Sequence, residues 1–176
     1  MTRTKVALAS VILRHRMLAR WAHRQLPKKQ LASGVLLFDQ AGSLLLVKPS
    51  YRDDWLIPGG LVEKNESPWT AAKRETLEEI GLTLDHLRFL GVDWRSTDDE
   101  YDDSLHFLFH GGTLSADQQA SIRCDGIEIV DFKFADREEA QALLDPFIGR
   151  RIIPCWRRDL DRPLVLNRGE PDPDII

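Results

Sequence analysis

The sequence predicts an α+β domain: one mixed β-sheet with helices on its faces. Short apolar runs bounded by Gly, Pro, Asn or Asp interleave with segments of helical period, without the regular strand–helix cadence of a parallel sheet. The 176 residues, 43% hydrophobic and 30% charged, suit a single packed core under a wettable surface.

Residues 4–24 read as an amphipathic helix. Val6, Leu8, Val11, Leu13, Met17, Leu18 and Trp21 cover a broad face, and Arg16, Arg20 and Arg24 repeat as a basic stripe before Pro27 ends the helix. Residues 1–30 are therefore set apart as an accessory segment, for docking or a homodimer contact, with membrane-surface and targeting roles as the alternatives. Strands are expected over 31–38 and 43–47, joined by the hairpin-length loop Asp39-Gln40-Ala41-Gly42. A short strand over 55–57 stops at Pro58-Gly59-Gly60. Ser67 and Pro68 have the chemistry of an N-cap and a first helical residue, and Gly81 that of a left-handed stop. Strand-like stretches follow at 87–94, 105–109 and 127–134, and helical patterns at 136–144 and 147–160. The domain is drawn over 31–166, and residues 167–176, with Pro171 and Pro173, are expected to form an irregular tail.

No apolar run reaches the ~18 residues of a membrane-spanning helix. Two cysteines, Cys124 and Cys155, neither make a disulfide framework nor close a zinc site, so a reduced, cytoplasmic setting is expected. His106 and His110 share a strand face ~13 Å apart at ~3.3 Å per residue, which does not match the helical spacing of a zinc-protease pair. The net charge of −4 hides an asymmetry: residues 1–38 carry eight Lys or Arg and no acid, leaving 16 basic against all 28 acidic residues in the rest. A body this acidic argues against nucleic acid as a partner and suits the holding of divalent cations.

Chemistry concentrates between Gly60 and Leu82. On a helix opening at Pro68, Glu75, Glu78 and Glu79 stand at i, i+3 and i+4 and crowd one face. Like charges at that spacing repel, and a cation resolves the repulsion. Glu66 reaches the cluster from the preceding loop. Such hard oxygen donors select Mg²⁺, with Mn²⁺ as the second choice, over zinc or copper. Arg74, beside Glu75 and four residues before Glu78, has the planar fork that holds a carboxylate. Trp69, Ala72, Thr76 and Ile80 lie on another face, turned to the core.

Gly60, Glu66, Arg74, Glu75, Glu78, Glu79 and Gly81, with Leu82, meet every fixed position of the signature of the Nudix hydrolase family, which this chain resembles. Thr76 is the one departure, standing where the pattern prefers a bulky aliphatic, with a packing cost expected and no loss of chemistry. The likeness extends loosely over residues 31–144. It implies an α/β/α sandwich with a mixed sheet, and a metal-dependent pyrophosphohydrolase that cleaves a phosphoanhydride in a nucleoside triphosphate or nucleoside diphosphate conjugate by water attack on phosphorus. Carried over by position, Glu78 and Glu79 are the principal metal ligands, Glu75 a further ligand or proton acceptor, the Gly59 carbonyl a ligand and Arg74 an orienting group, with Glu66 supporting the cluster. Glu128, on the late strand, is a second candidate base.

Lys48 for phosphate, and Arg52 and Trp55 for base or sugar, flank the motif as substrate contacts. Tyr101 falls near where dinucleoside polyphosphate hydrolases place a tyrosine, within an acidic run from Asp98 to Asp103 that reads as a solvated loop. The rival reading is a catalytically silent nucleotide-sensing module that regulates a partner. A prenyl diphosphate isomerase would need Cys124 or Cys155 in its site.

Overall fold

The computed structural model describes residues 28–96, 103–156 and 162–171, together with Trp21 and Leu26. The N-terminal helix and its dimer contact (Trp21 apart) lie outside the described residues, as do Tyr101 and its acidic neighbours over 98–102.

The strands are β1 (Gln30–Phe38), β2 (Leu44–Pro49), β3 (Gly59–Leu61), β4 (Arg88–Arg95), β5 (Ser104–Thr113), β6 (Ile129–Ala135), β7 (Leu164–Asn167) and β8 (Glu170–Pro171). The α-helices are α1 (Pro68–Ile80), α2 (Ala116–Ser121), α3 (Arg137–Leu143) and α4 (Pro146–Ile152). They form one sheet in the order β6-β2-β1-β5-β4-β7-β8, with β3 paired to β1. β1 with β5 and β4 with β7 run parallel, and the other pairs antiparallel, so the sheet is mixed as expected.

Both faces of the central strands are buried. Along β1, Val35 and Leu37 join Leu45, Val47, Ala72, Ile80 and Phe109 in the core under α1. Leu36 and Phe38, one residue out of phase, join Leu44, Leu46, Leu108, Ala140 and Ile152 in the core under α3 and α4. This two-sided burial makes an α/β/α sandwich.

Three expectations are corrected. The helix expected over 147–160 ends at Ile152 and passes into a 3₁₀ turn, Ile153–Cys155, because Pro154 has no N–H to continue the ladder. The tail is not irregular from 167: β7 and β8 form a hairpin turned by Arg168 and Gly169, both with positive φ. The segment 55–57 is no full strand, since Leu56 bridges Val47 and Trp55 bridges Leu144 singly. Helix α2 and strand β3 escaped the sequence reading. Ser115 and Gln118 spell a complete capping box at the start of α2. β3 is Gly-Gly-Leu and reads as a turn.

Candidate active site

Helix α1 is cut at both ends by its sequence. The Ser67 hydroxyl accepts the Thr70 N–H at 3.1 Å, Pro68 occupies the first turn, and Gly81, at φ 73°, closes it with a hydrogen bond to the Leu77 carbonyl. Ala72, Thr76 and Ile80 are fully buried against the sheet. Thr76 absorbs its departure from the family pattern locally, donating its hydroxyl to the Ala72 carbonyl at 2.7 Å.

The other side of α1 holds the carboxylates, and Arg74 organises them. Its Nε and Nη2 take the two oxygens of Glu66 side-on, each at 2.9 Å. Nη1 donates to Glu75 Oε1 at 2.8 Å and Glu78 Oε2 at 3.0 Å, and Nη2 also reaches the Leu61 carbonyl. The hydrogen bonds from Arg74 hold the Glu66 carboxyl below its usual range, and the reciprocal bonds raise the guanidinium still higher. The Glu63 N–H fixes the Glu66 side chain from the loop.

Glu75 and Glu79 dock on β3, whose glycines make room for them. A Cβ on Gly60 would stand 2.5 Å from Glu75 Oε1, and one on Gly59, at φ 148°, would overlap the Ser33 carbonyl. The Gly59 N–H donates to Glu79 Oε2 at 2.9 Å, so the contact seen from this residue is its amide, whereas its carbonyl was the expected ligand. Glu79 is only 5% exposed, and burial pushes its carboxyl up to about 8, with Glu75, Glu128 and Asp125 adding to the shift. Burial also raises Glu75. Glu78 remains exposed.

Glu128 lies in the bend before β6, one residue short of the strand assigned to it. Its N–H is held by Asp125 Oδ2 and its carbonyl accepts from the Ser50 N–H. Burial and then the charge of Glu128 raise the phenol of exposed Tyr51, and the same charge adds to the upward shifts of Glu79 and Glu75. Ser33, opposite Gly60 and in phase with Val35 and Leu37, belongs to the same face of the sheet. Its hydroxyl is buried and has no hydrogen-bond partner.

Among the described residues, no three His, Cys, Asp or Glu side chains converge as a metal-holding group, and Arg74 takes oxygens from three of these carboxylates. The donor set still suits a hard divalent cation. It is all carboxylate, and the buried Glu79 has one amide for compensation.

The expected substrate contacts have partners of their own in this structure. Lys48 donates to the Asp53 carbonyl, and Arg52 pairs with Asp54 and, across the chain, Asp145. Trp55 packs against the core under α3 and α4, with Lys133 over its ring. Cys155 is buried in that same core, and burial pushes the Cys124 thiol up, so neither is an activated nucleophile. A feature that sequence reasoning missed is a cavity of about 190 Å³ on the α4 side of the sheet, with Gly59 and Gly60 in its rim.

The NUDIX domain family matches residues 28–154. The chain belongs to the NUDIX family. Its NUDIX domain is 37% identical over 79 residues to an RNA pyrophosphohydrolase of Hydrogenovibrio crunogenus, a stretch that is 44% of this chain and 46% of that protein. It is 42% identical over 66 residues to diphosphoinositol polyphosphate phosphohydrolase 2 of Rattus norvegicus, 37% of each chain. The matches thus span less than half the length of these curated relatives. The NUDIX domain of Shewanella oneidensis NrtR, solved with ADP ribose, superposes with a TM-score of 0.64 at 17% identity, covering 89% of this chain and 97% of that one. This last likeness is one of fold.

Proposed function

We propose that this NUDIX domain is a divalent-metal-dependent pyrophosphohydrolase acting on a phosphoanhydride in a small nucleotide. The observation that carries the reading is the clustering of Glu66, Glu75 and Glu78 on Arg74, with Glu79 seated on Gly59 beside them. The curated relatives are named for hydrolysis of phosphoanhydride-bearing substrates, which agrees with this chemistry.

Glu78, Glu79 and Glu75 would hold Mg²⁺ or Mn²⁺, which when bound offsets charge on the diphosphate and acidifies water. The protein supplies position and a proton acceptor. Arg74 keeps Glu75 and Glu78 aimed while the Glu66 pair anchors its guanidinium to the loop. Glu75 and Glu128, whose fields overlap at Glu79, are the two carboxylates set to take a proton from the attacking water.

The test measures phosphate and nucleotide release from nucleoside triphosphates, nucleotide sugars and dinucleotides, with Mg²⁺ or with EDTA, beside Glu78→Gln. Metal-dependent turnover that the variant loses supports the reading. Wild-type activity in Glu78→Gln, or ligand binding without any turnover, overturns it, the latter in favour of a sensing role.

A further inference from the structure

Six polar or charged residues are buried among those described, and five of them have hydrogen-bond partners. Asp93 takes the Arg151 Nε–H at 2.7 Å and the Gly169 N–H at 2.8 Å. Ser104 Oγ shares a hydrogen bond with His106 at 2.9 Å, and Thr76 and Glu79 have the partners given above. Ser33 is the exception: it is 4% exposed, and its hydroxyl is closed to water and has no partner. A buried hydroxyl left unpaired costs stability, and an alanine on the same backbone would not. The fold therefore gains nothing from an oxygen at this position.

Its place says what the oxygen serves. Ser33 and Gly60 are a directly opposed pair of β1 and β3, so their side-chain positions share one face of the sheet, about 5 Å apart. Gly60 leaves its position to Glu75, whose Oε1 and Oε2 stand 2.5 and 2.9 Å from where a Cβ would be. The glycine thus puts no side chain of its own between the hydroxyl and the carboxylate. That carboxylate is half tied. Arg74 Nη1 donates to Oε1 at 2.8 Å, and Oε2 accepts no hydrogen bond among the described residues. A single donor leaves rotation about the last side-chain bond of a glutamate soft, and a second donor on the other oxygen stops it.

We propose that Ser33 is a positioning residue whose hydroxyl donates to Oε2 of Glu75 in the working enzyme. Held by Arg74 on one oxygen and by Ser33 on the other, Glu75 keeps one orientation in the site. A turn of the Glu75 side chain brings the two groups together. The unpaired hydroxyl of the resting structure is then a stability cost carried for the site. The inference rests on the pyrophosphohydrolase reading for the task of Glu75.

Steady-state kinetics with Mg²⁺, urea unfolding in EDTA and a crystal structure of the full chain soaked with Mg²⁺ test it together. Ser33→Ala is expected to lower kcat by about tenfold with KM within about twofold, the pattern of a misoriented reacting group. Its urea midpoint should stay level with wild type or rise. A hydroxyl serving only the fold would give the opposite split, a lower midpoint with kcat unaltered. Ser33→Thr keeps the hydroxyl on a side chain suited to a strand and is expected to hold kcat within about threefold of wild type. Ser33→Val, of like shape without the hydroxyl, should match Ser33→Ala. In the crystal, Ser33 Oγ should lie at hydrogen-bond distance from Glu75 Oε2. Unchanged kcat or a fallen midpoint in Ser33→Ala, equal kcat in Ser33→Thr and Ser33→Val, or a hydroxyl bonded to another group overturns the proposal. While wild type turns over, any of these sinks this inference alone. If wild type hydrolyses nothing, the hydrolase reading fails, and the unfolding and crystal results still decide the role of Ser33.

Discussion

Arg74 and Glu66 meet side-on across eight residues, Nε to Oε1 and Nη2 to Oε2, both at 2.9 Å. Two parallel bonds fix the plane of the guanidinium, and that plane leaves Nη1 for Glu75 and Glu78. A loop residue thereby orients two carboxylates of the helix.

Replacing Arg74 with Lys keeps the charge and removes the fork. Turnover is expected to fall by about 10²-fold, the scale of a misplaced reacting group, with circular dichroism unchanged. Steady-state kinetics with Mg²⁺ measures it, and a loss below threefold would show that a point charge suffices.

Gly60→Ala and Gly59→Ala separate positioning from folding. The added methyl at Gly60 meets only the movable end of Glu75, so turnover should drop while the urea midpoint moves little. At Gly59 the methyl meets the Ser33 backbone at a positive φ, and a stability loss of about 1–3 kcal/mol is expected. Equal effects of both on stability would contradict this division.

Glu79 sets a pH dependence on the metal-free protein. Its folded value of about 8 lies above the ordinary 4.5, so the folded state binds the extra proton between these values. Its stabilising share is complete below pH 4.5 and is lost as pH rises through 8, by at most about 1.4 kcal/mol per pH unit. In EDTA the thermal midpoint should therefore fall from pH 5 to 8.5, and Glu79→Gln should flatten the slope.

Thr76→Val replaces the residue that departs from the family pattern. The hydroxyl bonds a carbonyl already within the helix, so its loss orphans nothing. Stability is expected to change by under about 1 kcal/mol with kcat unaltered, as thermal unfolding and kinetics can check.

The cluster on α1 was legible because it is local. Ser67, Pro68 and Gly81 set the helix bounds, and a period of 3.6 alone gathers Glu75, Glu78 and Glu79 on one face of the helix. The strands β1, β2, β4, β5 and β6 were legible from apolar runs such as 44–47, though the turn-like β3 and the β7–β8 hairpin were not. The partners of the expected substrate contacts were not legible, for the opposite reason. Lys48, Arg52 and Trp55 neighbour the motif in sequence, yet Arg52 is drawn to Asp145 and Trp55 to the core beneath α3, on the other side of the sheet.

The sequence by itself determined the fold class, the capped helix and the gathering of its carboxylates, since each rests on spacings of a few residues that covalent geometry converts directly into position. Only the tertiary structure decided that Gly60 faces Glu75, that Glu128 joins the same field, and that Asp93, Arg151 and Gly169 meet across 58 and 76 residues of chain. Those meetings depend on strand order and on which face each strand turns to which helix. No local periodicity carries that information, because it is settled by burying both faces of one sheet at once.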